Sequence, residues 1–195
     1  MAGTKKVRVS KRRTLNTYAE LWVGSELLHR RALDKKAGAY WDAMASLILA
    51  AFTFEAYLNH LGPKIFDTWN ERRSYDSKWV TICKKLRLSF PRGERPALSI
   101  VELFGFRNAL AHGQSQILEP IPEIENADRF ESQTTERRPQ APWEKFCSEV
   151  EIVRRVRADV SDIIRKIHAT AENRGYIENE PVFSPGFTSS DATLL

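Results

Sequence analysis

Between Ala39 and Leu61 the residues Met44, Leu47, Ala51, Phe54, Leu58 and Leu61 recur at intervals of three and four. That repeat puts them on one face of an α-helix, and a face so long and so apolar is stable only when other elements cover it. The remaining chain offers helices to do so. Over 143–173, Trp143, Phe146, Val150, Val153, Val156, Val160, Ile163 and Ile167 repeat in the same way, and because most are β-branched this helix needs tertiary support. A first helix is expected over 15–36, with Tyr18, Leu21, Trp22, Leu27 and Leu28 as a partial stripe weakened by Gly24. Another is expected over 76–88, with Trp79, Ile82, Cys83 and Leu86 on one face, and a short one over 64–73 holding Phe66 and Trp69. Gly38 and Gly62-Pro63 read as helix stops. The pattern predicts an all-α, antiparallel helical bundle of four to five main helices, with a long irregular loop before the last.

A chain of 195 residues is enough for one domain with a substantial core. Its net charge of +5, from 30 basic and 25 acidic residues, is a mild bias compatible with a polyanionic partner. Cys83 and Cys147 show no metal-type spacing, so no disulfide framework is implied and a reducing cytoplasm is the expectation; Cys83 reads as a core thiol. No N-terminal apolar segment resembles a signal peptide. The longest apolar stretch, Ala43 to Phe54, is too short to span a bilayer, so no membrane partner is expected. Glycine-rich phosphate loops, paired cysteine motifs and His-Glu-x-x-His are all missing, and no metal or cofactor is called for.

The domain is expected to occupy 14–173. Residues 1–13 read as a flexible basic arm, which either lies along RNA phosphates or is simply a solvated terminus. Residues 114–142, punctuated by Pro120, Pro122, Pro139 and Pro142 and rich in acidic residues, read as a long loop with one short strand near Gln116 to Ile121. Residues 174–195 read as an irregular tail.

Strongly polar groups interrupt an apolar helix at one place, Phe104-Gly105-Phe106-Arg107-Asn108-Ala109-Leu110-Ala111-His112-Gly113. Ser99 and Glu102 fit a capping box for this helix, and Pro96 equally suits a start slightly earlier. Ile100, Leu103, Phe104, Phe106 and Leu110 give it a wide apolar face, and Gly113 suits a left-handed residue just past its end. Gly105 in mid-helix costs about 1 kcal/mol relative to alanine and often marks a close approach by another backbone. Arg107 is always charged and donates in a fork that matches phosphate oxygens. His112 can give or take a proton near neutral pH. Together they suit cleavage of a phosphodiester without metal. The plain alternative is a basic pair favoured by the helix dipole, with Asn108 and His112 as an ordinary hydrogen-bonded pair four apart.

Arg107-Asn108, followed by three residues and His112, resembles the Arg-x4–6-His motif of the HEPN superfamily, in which a polar residue, often Asn, follows the Arg. The stretch Leu47 to Asn59, largely apolar with Glu55 as its one charged residue, is similar to the apolar HEPN helix that carries a single Glu. The resemblance covers roughly 15–170 in helix order, and only these two stretches are specific. It implies a homodimer in which two Arg/His motifs face one another across a cleft. Many such domains cleave RNA without metal to leave a 2′,3′-cyclic phosphate, and others only bind. Arg107, His112 and Asn108 would then be catalytic.

Glu55, within about 60° of its helix's apolar stripe, is either a supporting partner of Arg107 or His112 or a solvated boundary residue. His60 either helps that site or caps its helix. His29 reads as a surface residue and His168 as a helix-dipole residue. Two functions compete: a metal-independent endoribonuclease, with a toxin or phage-defence role and an antitoxin or other protein partner, and an inactive HEPN-like module that binds RNA, a nucleotide or a protein.

Overall fold

The computed structural model describes residues 7–34, 37–119, 139–186 and 188–194. The expected all-α bundle forms. Its helices among the described residues are α1 (Thr17–Leu33), α2 (Ala39–Ile65), α3 (Tyr75–Leu86), α4 (Ala97–Ala111), α5 (Pro142–Ser148) and α6 (Val150–Asn173). The central helix is α2, which packs against every other one. Its stripe of Leu47, Ala51, Phe54, Leu58 and Leu61 is fully enclosed. By length and composition α2 could cross a membrane, but half of its most apolar window is buried inside the bundle. The facing stripe on α6, from Val153 through Val156, Val160 and Ile163 to Ile167, is equally enclosed.

Four local expectations are corrected. Gly62-Pro63 does not stop α2, which runs on to Ile65. Proline there removes one hydrogen bond in the last turn, where few remain to be lost. Gly62 is needed for another reason: the Trp69 ring lies across it, and a Cβ would fall 2.2 Å from the ring. Phe66 and Trp69 therefore stack in an irregular segment over the end of α2, in place of the expected short helix. The expected last helix is two, because Glu149 is extended (φ −91°, ψ 104°) between α5 and α6.

The capping box at Ser99 and Glu102 is not made, and α4 starts behind Pro96. Both side chains instead tie α4 to α6. Ser99 Oγ donates to Asp159 Oδ2, and Arg155 Nη2 reaches Glu102 Oε2 at 2.6 Å. Arg95 grips the same Asp159 through Nε and Nη2, each at 2.9 Å.

The termini also differ from expectation. Residues 7–13 form strand β1, paired antiparallel with β2 over 188–194, so a ribbon stands where a flexible arm and an irregular tail were expected. Ahead of β2 the chain is strapped across α1, α2 and α6. Phe183 stacks on Trp22, Asn16 Nδ2 donates to the Ser184 carbonyl at 2.9 Å, and Glu180 pairs with Lys64. Residues 114–119 are irregular and exposed, while the rest of the expected strand and most of the acidic loop lie outside the described residues.

Candidate functional site

Arg107, Asn108 and His112 occupy the last turn of α4 and its cap. Asn108 and His112 are exposed and Arg107 is half-buried. The apolar residues Ile100, Leu103, Phe104 and Phe106 fix the helix to the core, which turns Val101, Gly105, Asn108 and His112 outward along one face. Arg107 lies well round the axis from His112 and reaches across the end of the core. Its guanidinium carbon sits 5.7 Å from the centre of the Phe52 ring on α2, and its Nη1 donates to Asn108 Oδ1 at 2.9 Å. Phe52, 39% exposed, is a component the sequence reading missed; it is a platform that holds a cation at the surface. Its signal was weak, an aromatic three residues before Glu55 and off the main stripe.

The helix ends as expected at His112, but not by a left-handed glycine. His112 takes the cap with φ −118°, and its backbone N–H bonds to the Asn108 carbonyl at 2.9 Å. Gly113 is constrained by space: a Cβ there would lie 2.8 Å from the Ala109 carbonyl oxygen. Gly105, by contrast, faces open space within the chain. Among the described residues no helix of the same chain crosses it.

Glu55 is bound elsewhere than expected. Lys78 of α3, only 1% exposed, places its Nζ 2.9 Å from Glu55 Oε1. A buried ammonium needs a counter-charge, and Glu55 supplies it from the core's edge. The glutamate thereby fastens α3 to α2, and among the described residues His112 has no carboxylate partner.

The other three histidines are framework. His29 is buried, contrary to expectation, against the Arg157–Glu26 pair (2.7 Å) and Ser25, which Arg157 Nε also reaches at 2.9 Å. His168 is buried too, between the Tyr57 hydroxyl (3.3 Å from Nδ1) and the Glu180 carbonyl (2.7 Å from Nε2). His60 lies with its ring centre 4.8 Å from that of Tyr18, tilted by 50°, and brings Nε2 to 3.0 Å from Glu180 Oε1.

Burial, reinforced by Arg157, holds the His29 imidazole below its ordinary 6.5; burial, reinforced by Lys64, does the same to His60 against the opposing pull of Glu180. Both groups are therefore neutral in the fold and protonate more readily when it opens, so their contribution is complete above pH 6.5 and is lost as pH falls. Burial raises the Asp159, Glu26 and Glu180 carboxyls. Their Arg, Lys and Ser partners more than offset it, leaving all three below the ordinary carboxylate values of 3.8 to 4.5. The expected melting profile is thus level at neutral pH, declines once below 6.5 and again below about 4.5. Thermal unfolding followed across this range checks it: His29→Gln should shrink the first decline, and a melting temperature unchanged through 6.5 contradicts the assignment.

Two cavities, of about 250 and 470 Å³, lie away from Arg107, Asn108 and His112. One chain therefore presents a guanidinium, an amide and an imidazole on an open surface. No protein-family model, curated protein or solved structure matches this chain.

Proposed function

We propose that the chain is a metal-independent endoribonuclease that acts on RNA at a cleft between two copies, with a toxin or phage-defence role and an antitoxin or other protein partner. The observation that carries this reading is the arrangement at the end of α4, where Arg107, Asn108 and His112 are held accessible by a well-packed helix. The resemblance of their spacing to the HEPN motif supplies the reaction. Arg107 binds the scissile phosphate and stabilises the charge that develops on it. One His112 takes the proton of the ribose 2′-hydroxyl. The 2′-oxygen bonds to phosphorus, the bond from phosphorus to the 5′-oxygen breaks, and the partner copy's imidazolium protonates the departing oxygen. The products are a 2′,3′-cyclic phosphate and a 5′-hydroxyl. Asn108 holds the guanidinium in place.

A dimer suits the surface. Val101 (41% exposed), open Gly105 and Phe52 border the motif on one side of the bundle, and a second helix can approach the glycine closely. Gly105→Arg is the corresponding test. The helix should gain about 1 kcal/mol of propensity, since a Cβ at this position meets nothing within 4 Å among the described residues. The dimer and RNA cleavage should both be lost. Mass by light scattering and a digestion assay read the two effects, and a variant that remains dimeric and active counts against the cleft.

One observation favours the second reading, an inactive HEPN-like module that binds RNA, a nucleotide or a protein. Glu55 is committed to Lys78, which leaves His112 without an orienting carboxylate among the described residues. Binding of RNA without cleavage by the wild type would select it.

A further inference from the structure

Basic residues outnumber acidic ones eight to three between Asn70 and Pro96, the stretch that holds α3 and its flanks. Three of the eight are spent within the fold: Lys78 on Glu55, Arg92 on Asp76 and Arg95 on Asp159. Arg72, Arg73, Lys84, Lys85 and Arg87 are exposed and have no ion-pair partner among the described residues. Five exposed cations on so short a stretch, unpaired among the described residues, favour a polyanion there.

The same stretch carries the cavity of about 250 Å³, between α3 and residues 88–92. Val80, Leu88 and Phe90 form apolar walls, with Lys84, Ser89 and Arg92 beside them. Arg92 holds its guanidinium carbon 3.8 Å from the centre of the Trp79 ring and gives Nη2 to Asp76. Its other terminal nitrogen, Nη1, is enclosed and has no hydrogen-bond acceptor among the described residues. A cavity of about 250 Å³ with apolar walls and cations at its edge is the combination that holds an unpaired base and its phosphate.

The position is consistent with a strand that also reaches the motif. The Tyr75 ring, at the start of α3, stacks 3.4 Å from Phe104, three residues ahead of Arg107. Arg72 and Arg73 immediately precede that point, and Val80 and Lys84 lie about 8 to 14 Å further along α3. We propose that this groove is a second contact for single-stranded RNA, seating one base against Val80, Leu88 and Phe90 with its phosphate on Lys84. The inference rests on the ribonuclease reading for its ligand and assigns the groove a binding role only.

Binding of labelled single-stranded RNA, followed by fluorescence anisotropy in the His112→Ala protein so that the strand stays intact, is the test. Lys84→Glu and Val80→Glu alter exposed side chains and should leave the helical circular dichroism unchanged. Each should weaken binding about tenfold, and Lys84→Glu should also reduce the salt slope by about one. Lys166→Glu, exposed on α6, is the charge-matched control and should change affinity by less than about twofold. RNA with abasic positions should bind more weakly than intact RNA.

Groove variants that bind like the control overturn the inference and leave the ribonuclease reading standing. Abasic RNA that binds as well as intact RNA overturns the seated base. Polyglutamate that displaces the RNA on equal terms overturns it too, in favour of an acidic peptide. Groove-dependent RNA binding by a wild type that cleaves nothing supports the groove and removes the ribonuclease.

Discussion

Arg107→Ala and His112→Ala should each lower RNA cleavage by about 10²- to 10⁴-fold, the range expected when a charge stabiliser or a general acid-base group is removed. Neither should lower the melting temperature appreciably. His112 makes no side-chain hydrogen bond among the described residues, and Arg107 bonds only to the neighbouring Asn108 there. The double variant should be little worse than either single one, because the two groups act in one step. Arg107→Lys is informative beside them. It keeps the charge but loses the fork that meets two phosphate oxygens, so it should restore binding better than turnover. Digestion of single-stranded RNA in excess chelator measures all four. Equal rates for wild type and both alanine variants would remove these residues from the chemistry.

Phe54→Ala should be the most damaging single truncation in the core. Its ring is fully enclosed and makes edge contacts with Trp79 at 5.3 Å and Phe104 at 6.1 Å, so it joins α2 to α3 and to the helix that carries the motif. Emptying that volume should cost about 3–5 kcal/mol, which in a chain of this size lowers the melting temperature by on the order of 10 °C. Phe104 loses its support with it, so α4 should loosen and cleavage should fall along with stability. Phe52→Ala is the contrast. Its ring is partly exposed and touches Arg107, so cleavage should fall while the melting temperature barely moves. Calorimetry of the two variants separates these roles, and similar losses of stability would show that Phe52 is also part of the core.

Local periodicity made the bundle legible. The stripes of α2 and α6 are properties of short windows, and the structure encloses most of the residues those windows single out, with Met44, Trp143, Phe146 and Val150 only partly buried. The end of α4 was legible for the same reason, since an apolar helix interrupted by Arg107, Asn108 and His112 exposes them at its terminus. What stayed hidden depends on distant partners. Glu55 was read as either a partner of the motif or a solvated boundary residue, because Lys78, 23 residues on, carries nothing to announce that it is buried. His29 and His168 were misread because an imidazole suits both surface and core, and tertiary neighbours such as Arg157 and Tyr57 decide which. The ribbon of β1 and β2 joins the two ends of the chain, and β1 is basic enough to read as a solvated arm. At Glu149 no glycine or proline marks the break between α5 and α6.

The most direct measurement is digestion of single-stranded RNA by the wild-type protein in excess chelator, with the new ends identified by mass spectrometry. The expected result is cleavage that leaves a 2′,3′-cyclic phosphate on one fragment and a 5′-hydroxyl on the other. Intact RNA, or fragments ending in a 3′-hydroxyl and a 5′-phosphate, would contradict a shared Arg107–His112 site.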